Sequence, residues 1–392
     1  MMSALMRSGL ALLVPWVATQ VVSASDLDLT PEVHSFVSFG YLQTTDNQWL
    51  GNSTSGTSQF WEAAANVAVN PVPSVRVAGQ LFARDFQRYD NGRAQLDWLY
   101  GEWRPGDPFG LQLGRVKVPA GLYNEIRDVD AARATVLLSS SVYALRTRDL
   151  YNSTDGAKAL GYQHLGPCGA IEYSAYVGTT HLSVDGGFAS YLTDAGFGTM
   201  SELGIDYVWG GMLHWHTPVS GLATRFTANV LKGLHGTGTL ANGVVLHSQA
   251  DTYLTLIPSI IYERGSLTLI SEANFTRGEN SVEATTASGL PLAPVVIQKD
   301  RTCGGYMSGS WHFPIDVDTT ATVERLWDRI NDLDTPNTTR FSLAVRWGIT
   351  NHWSVKAEYQ HIIGAGLALI ADNPGGIDEH WDLFALKTTV DF

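Results

Sequence analysis

Between positions 115 and 158 the chain gathers Arg115, Lys117, Arg127, Arg133, Arg146, Arg148 and Lys158, out of 25 basic residues in all. Glu125, Asp128, Asp130, Asp149 and Asp155 stand among them. Acids and bases interleaved in this way do not resemble a catalytic set. Across a narrow, partly dehydrated passage they would create a transverse field that orients dipolar solutes and sorts ions by sign. Their other use is plainer: ion pairs that pin the segment to its surroundings.

Other residue types offer less. The eleven histidines are scattered, and none sits in a recognisable nucleophile context. His214 and His216 flank Trp215, and His-x-His can bind zinc, but no third ligand is nearby in sequence. Neither a metal nor a cofactor is therefore expected. His361 falls late in a strand-like run. Asp316, Asp318 and Glu324 could attract calcium, as any acidic cluster can. The Gly-rich stretch 233–238 reads as a loop tip with no phosphate-binding helix after it. Cys168 and Cys303 are too few for a disulfide framework and are expected as two unpaired thiols, although an oxidising compartment would permit a bond. A formal net charge of −13 argues against nucleic acid as a partner.

The elements that must position these residues read as strands. Apolar and polar residues alternate in runs of about ten, separated by turn residues. Short and long breaks take turns along the chain. The short ones fall at Asn70-Pro71-Val72-Pro73, Arg104 to Pro108, Leu165-Gly166-Pro167, His216-Thr217-Pro218, Glu263-Arg264-Gly265, Phe313-Pro314 and Gly348 to Asn351. These are rich in Pro, Gly and Asn, as hairpins require. The runs between breaks are 33–44, 58–69, 74–86, 94–103, 109–118, 157–165, 169–180, 201–216, 221–233, 248–263, 264–277, 298–313, 317–328, 337–348, 352–364 and 381–392. That makes sixteen strands in an all-β chain, with short turns at one end and long loops at the other.

Residues 1–24 read as a cleaved secretory signal. Arg7 is followed by a mostly apolar core over 9–22 and a small-x-small site at Val22-Ser23-Ala24. After it no run approaches the ~20 apolar residues of a transmembrane helix. If residues 25–392 lie in a membrane they must form a closed β-barrel, because lipid leaves no other way to pair the backbone.

Facing follows from the alternation. Phe384, Leu386, Val390 and Phe392 share one face of the last strand, against Ala385, Lys387, Thr389 and Asp391. Phe341, Leu343, Val345 and Trp347 oppose Arg340, Ser342, Ala344 and Arg346. Val355, Ala357 and Tyr359 oppose Lys356, Glu358 and Gln360. The apolar sets should meet lipid, where a mid-bilayer charge costs ~2–4 kcal/mol. The same parity turns Arg76, Arg84, Arg225, Arg346, Lys356 and Lys387 toward the lumen, with Glu62, Glu172, Asp206, Glu272 and Glu358. Phe60, Trp61, Tyr100, Trp103, Trp209, Trp347, Trp353 and Trp381 sit at strand ends, where interfacial girdles would be.

The stretch Leu113-Gly114-Arg115-Val116-Lys117-Val118-Pro119-Ala120-Gly121-Leu122-Tyr123 resembles a segment of the phosphate-selective porin O and P family. There a strand ends in Gly-Arg-x-Lys-x-Pro-x-Gly-Leu and leads into a constriction loop. The likeness continues to Tyr143, and the terminal Phe392 resembles the signal read by the barrel-assembly machinery. The resemblance implies a sixteen-stranded outer-membrane barrel, assembled as a homotrimer, with the third loop (about 119–156) folded into the pore. The loop's own composition agrees, because Val136-Leu137-Leu138 and Val142-Tyr143-Ala144-Leu145 need something to pack on. Phosphate capture favours an unbroken series of bases, whereas here acids interrupt them. The expectation is thus a passive channel for small hydrophilic solutes or ions, general or weakly anion-preferring. Rival readings are a channel specific for organic acids or sugars, and an outer-membrane barrel hydrolase.

Overall fold

The computed structural model describes residues 27–392 apart from Asn91, 331–332 and 335–336. The expected signal segment lies outside the described residues. Period-2 alternation appears throughout as strands: β1 Glu32–Thr44, β2 Trp61–Val72, β3 Val75–Asp85, β4 Gln95–Gly106, β5 Phe109–Lys117, β6 Ser153–His164 and β7 Ala170–Thr179. β8 is interrupted, Thr199–Gly204 then Tyr207–His216, and both segments pair with β9, Leu222–Thr239. There follow β10 Val245–Arg264, β11 Leu267–Thr285, β12 Val296–Phe313, β13 Val317–Ile330, β14 Thr338–Thr350, β15 Trp353–Ile363 and β16 His380–Asp391. Each strand pairs antiparallel with the next, and β1 pairs with both β2 and β16. The sheet is thereby a closed 16-stranded barrel with no free edge.

All the tight turns fall where the Pro, Gly and Asn clusters place them. In the β10–β11 hairpin, Gly265 takes φ +59°, a left-handed conformation that only glycine adopts without strain. Several boundaries differ from expectation. β6 begins at Ser153, so the third loop is 118–152. The strands β9 to β12 run well past the apolar belt, and β10 has 20 residues where ~10 span a membrane. Gly233 to Gly238 therefore lie within β9 rather than at a loop tip.

Lipid-side residues are exposed in the isolated chain and lumen-side residues covered, as the parity requires. Phe341, Leu343 and Trp347 are exposed, while Arg340 and Ala344 are buried. Trp103, Trp209, Trp347 and Trp353 lie on the outer face. Phe60, Tyr100 and Trp381 do not belong to a girdle. Phe60 and Trp381 pack inward with Leu42, Trp49, Phe86 and Val136, and Tyr100 stacks on Trp98 at 5.4 Å beside lumenal Glu102. Asp206 is also displaced: at the break in β8, Ile205 turns inward and Asp206 is exposed. Both cysteines are free thiols.

The C-terminus is part of the closure. Phe392 exchanges backbone hydrogen bonds with Ser35 of β1, N–H to O at 2.8 Å and O to N–H at 3.1 Å, while its ring stays exposed. Deleting Phe392 is expected to reduce the folded, heat-modifiable fraction in the membrane. Unchanged yield and heat-modifiability would remove it from assembly.

Candidate functional site: the lumen loop

The third loop leaves β5 at Lys117, crosses the lumen and returns to β6 at Ser153. Its apolar stretches find partners there. Val136, Leu137 and Leu145 pack with Leu42, Trp49 and Ile362, whereas Val118, Ala120, Val142 and Leu150 pack with Phe188, Val208, Leu231 and Ile257. Gly121 takes φ +65° where the loop passes the wall, and a Cβ there would come within 2.8 Å of Glu272 Oε2.

Three wall carboxylates hold the loop by its backbone. Glu358 Oε2 accepts from Val136 N at 2.6 Å and Leu137 N at 3.0 Å. Glu324 accepts from Ser141 N at 2.5 Å and from Arg340 at 2.9 Å. Glu272 accepts from Leu122 N (2.9 Å), Ser259 Oγ (2.7 Å), and the hydroxyls of Tyr143 and Tyr306 (2.6 Å each). Parity placed Glu272 and Glu358 in the lumen, but it could not reveal that their lone pairs go to the loop. Glu324 is apart from Asp316 and Asp318, which instead surround Arg346 at 3.4 and 3.0 Å.

The charges of the loop are mostly paired. At its base, Lys117 Nζ lies 2.7 Å from Asp97 and 2.8 Å from Asp128, while Arg148 lies 3.3 and 2.8 Å from the same two acids. Two cations and two anions, all buried, make a neutral square. At the far side Asp130 meets Lys356 at 2.8 Å, Lys387 at 3.0 Å and Arg133 at 3.4 Å, and accepts from Thr389 Oγ1 at 2.7 Å. Lys387 also pairs with Glu62, Lys158 with Glu125, and Arg84 with Asp90. Arg115 binds Asp155 through two contacts, 2.7 and 3.0 Å, and Arg76 meets Glu32 at 3.2 Å near the short-turn end. Burial alone would raise the Asp130 carboxyl; Lys387, Lys356 and Arg133 reverse this and hold it well below the usual carboxylate range. Asp128 is likewise held low by Arg148, Lys117 and Arg127 against burial.

Two loop guanidiniums stay outside these pairs. Neither Arg127 nor Arg146 makes an ion pair with any described residue. Among the described residues the Arg127 guanidinium makes one hydrogen bond, to Asn124 Oδ1 at 3.3 Å, and Arg146 lies over the Tyr191 ring at 4.7 Å. Both line a cavity of about 420 Å³ on the long-loop side. A second cavity of about 470 Å³ on the short-turn side is lined by Glu102, Arg104, Glu125, Lys158, Glu172 and Arg225.

Asp97 and Tyr191 were not anticipated from sequence. Asp97 follows a register shift in the β3–β4 ladder, which breaks simple parity, and Tyr191 lies in the fourth loop. The structure also supplies what His214 and His216 lacked. Glu172 of β7 pairs in register with His214 and lies 2.8 Å from His216 Nε2. However, Arg225 donates to His214 Nδ1 at 3.1 Å. A nitrogen that accepts from a guanidinium leaves the ring proton on Nε2, so the buried face of His214 presents a proton where a metal needs a lone pair.

No protein-family model matches the chain, and no curated protein sequence matches it. Solved structures do. OmpF of Salmonella typhi superposes with TM-score 0.59 at 11% identity, over 93% of this chain and 98% of that one. Outer-membrane expressed OmpT of Vibrio cholerae gives 0.57 at 12%, over 92% and 97%. An anion-selective porin from Comamonas acidovorans gives 0.54 at 10%, over 93% and 99%. The fold is that of a porin-like outer-membrane barrel.

Proposed function

We propose that the protein is an outer-membrane channel through which small hydrophilic solutes and ions diffuse passively, with a modest preference for anions. The observation that carries this reading is the lumen loop, sewn to the opposite wall, in which most charges meet in ion pairs while Arg127 and Arg146 make none with a described residue and share one cavity. Asp149, also outside the ion pairs, lies away from that cavity and accepts from Phe188 N at 3.2 Å. Two guanidiniums on one cavity wall, neither in an ion pair, bias it toward anions even though the whole chain is acidic, since distant surface charges are screened over ~8 Å in physiological salt. The resemblance of 113–123 to phosphate-selective porins supports the same sign. The pairing of the other loop bases supports a weak preference over a phosphate-specific ladder. The chain is read as a homotrimer and as a non-enzymatic barrel. Among the described residues no serine, threonine or cysteine side chain hydrogen-bonds to His214 or His216. A hydrolytic assay on the purified protein in detergent checks that last point, and turnover would overturn it.

The test is the reversal potential in planar bilayers under a salt gradient. A unit charge near the ion path is worth between ~1 kcal/mol in water and ~4 kcal/mol at lower effective dielectric. Arg127→Ala with Arg146→Ala is therefore expected to lower the anion-to-cation permeability ratio about fivefold or more. Arg115→Ala, which opens a partly exposed pair with Asp155 elsewhere, should move it much less. Equal shifts in both would show that the two free guanidiniums do not set the preference.

A further inference from the structure

The cavity that Arg127 and Arg146 share has an unusual wall for an ion path. The same cavity is lined by Phe188, Tyr191, Leu231, Leu234, Tyr253 and Ile257, contributed by the fourth loop and by strands β9 and β10. An inorganic ion at such a wall can use only the cavity's polar side chains, among them Ser141, Thr255, Asn274 and Gln298, and gains nothing from its apolar half. Two cations beside aromatic and aliphatic side chains instead match a solute that is charged at one end and apolar at the other. The cavity, about 420 Å³, lies in the range of small-molecule sites and exceeds what a single hydrated chloride needs. One carboxylate, Asp300, also lines it, but its oxygen is engaged by the Tyr253 hydroxyl. Its negative charge argues against a second acidic group on the solute at that end.

We infer that this cavity is a binding station for amphipathic organic monoanions, of the aromatic or cyclic monocarboxylate class. The carboxylate would sit between Arg127 and Arg146 and the ring against the Leu234 and Ile257 wall. This deepens the anion-channel reading and rests on it. Stacking of Arg146 on Tyr191 holds that guanidinium at the edge of the apolar wall, where a carboxylate and its ring can be met together. Such a station raises the local concentration of the solute inside the lumen. It therefore speeds permeation at low external concentration and saturates at high concentration.

The experiment uses the purified full chain in planar bilayers carrying chloride current. Benzoate and cyclohexanecarboxylate are added on the long-loop side, and acetate, inorganic phosphate and neutral benzamide serve as comparison probes. Benzoate and cyclohexanecarboxylate are expected to reduce chloride current at concentrations about tenfold below acetate or phosphate, and benzamide should do little. Arg127→Ala with Arg146→Ala should raise the half-blocking benzoate concentration about fivefold or more. Leu234→Asn should narrow the gap between benzoate and acetate. If benzoate blocks no better than acetate in a channel that still prefers anions, the station is overturned and the channel reading survives. A protein that conducts but prefers cations overturns both, as does one that forms folded barrels without conducting.

Discussion

Replacing residues 119–151 by a short Gly-Ser turn is expected to raise single-channel conductance at least about twofold, with the barrel still closed. The argument begins with the wall. Every ladder from β1–β2 round to β16–β1 is backbone hydrogen bonding between strands, and none of it passes through the loop. The loop's two ends are also neighbours, since Val118 N donates to Asn152 O at 3.3 Å, so a short turn can join them. In a water-soluble core, removing the loop would strand Lys356 without its carboxylate and leave Glu272, Glu324 and Glu358 short of the loop donors, although Glu324 keeps Arg340, Glu272 keeps Ser259 and Tyr306, and Lys387 keeps Glu62. In a sixteen-stranded lumen water takes the place of the loop and solvates them, so the usual penalty for orphaned buried charge does not apply. What disappears is the obstruction, together with the apolar plug of Val136 and Leu145 against Trp49 and Ile362. Ion preference should weaken at the same time, because Arg127 and Arg146 leave with the loop. A truncated protein that remains heat-modifiable yet conducts like the wild type would place the constriction elsewhere.

The wall was legible in the sequence because two local signals determine it. Period-2 alternation gives the facing of each strand, and Pro, Gly and Asn clusters give the hairpins. Phe341, Leu343 and Trp347 point to lipid for that reason alone. The apolar content of the third loop likewise told that it needed cover. The wiring of its charges was not legible. Asp130 and its partner Lys356 are 226 positions apart, and their meeting depends on how far the loop reaches across the lumen. Parity assigns a face but not a height, so Glu272, Glu324 and Glu358 could not be recognised as acceptors for loop N–H groups. The third ligand-type residue beside His214 was hidden for a related reason, because Glu172 reaches it only through the β7–β8 pairing. Phe60 and Trp381 were misplaced because aromatics at strand ends suit an interfacial girdle and an inner plug equally well.

The second large effect concerns the latch at Asp130. Asp130→Ala is expected to free the far side of the loop, raising open-channel noise and making the loop susceptible to added protease in a folded barrel. Lys356 is 1% exposed, and its only carboxylate partner among the described residues is Asp130, whereas Lys387 keeps Glu62. Leaving a buried ammonium unpaired costs ~3–5 kcal/mol, enough to favour a loop that swings away and lets water reach Lys356. Replacing both partners together, Asp130→Leu with Lys356→Met, removes the orphaned charge. It should restore protection in part, although Lys387 and Thr389 then lose a partner. The latch also has a pH signature with a definite sign. The Asp130 carboxyl is depressed in the folded protein, so its contribution is fully present above the unfolded value of ~3.9 and is lost only as pH falls through the lower folded value. The Asp130 latch itself should therefore hold from neutral pH down to about 4, with its release confined to stronger acid. Loop release beginning near pH 5 to 6 in the wild type would show that a different group holds it. Protease protection of Asp130→Ala equal to wild type would show that the carboxylates Glu272, Glu324 and Glu358 hold the loop without help from the ion pairs.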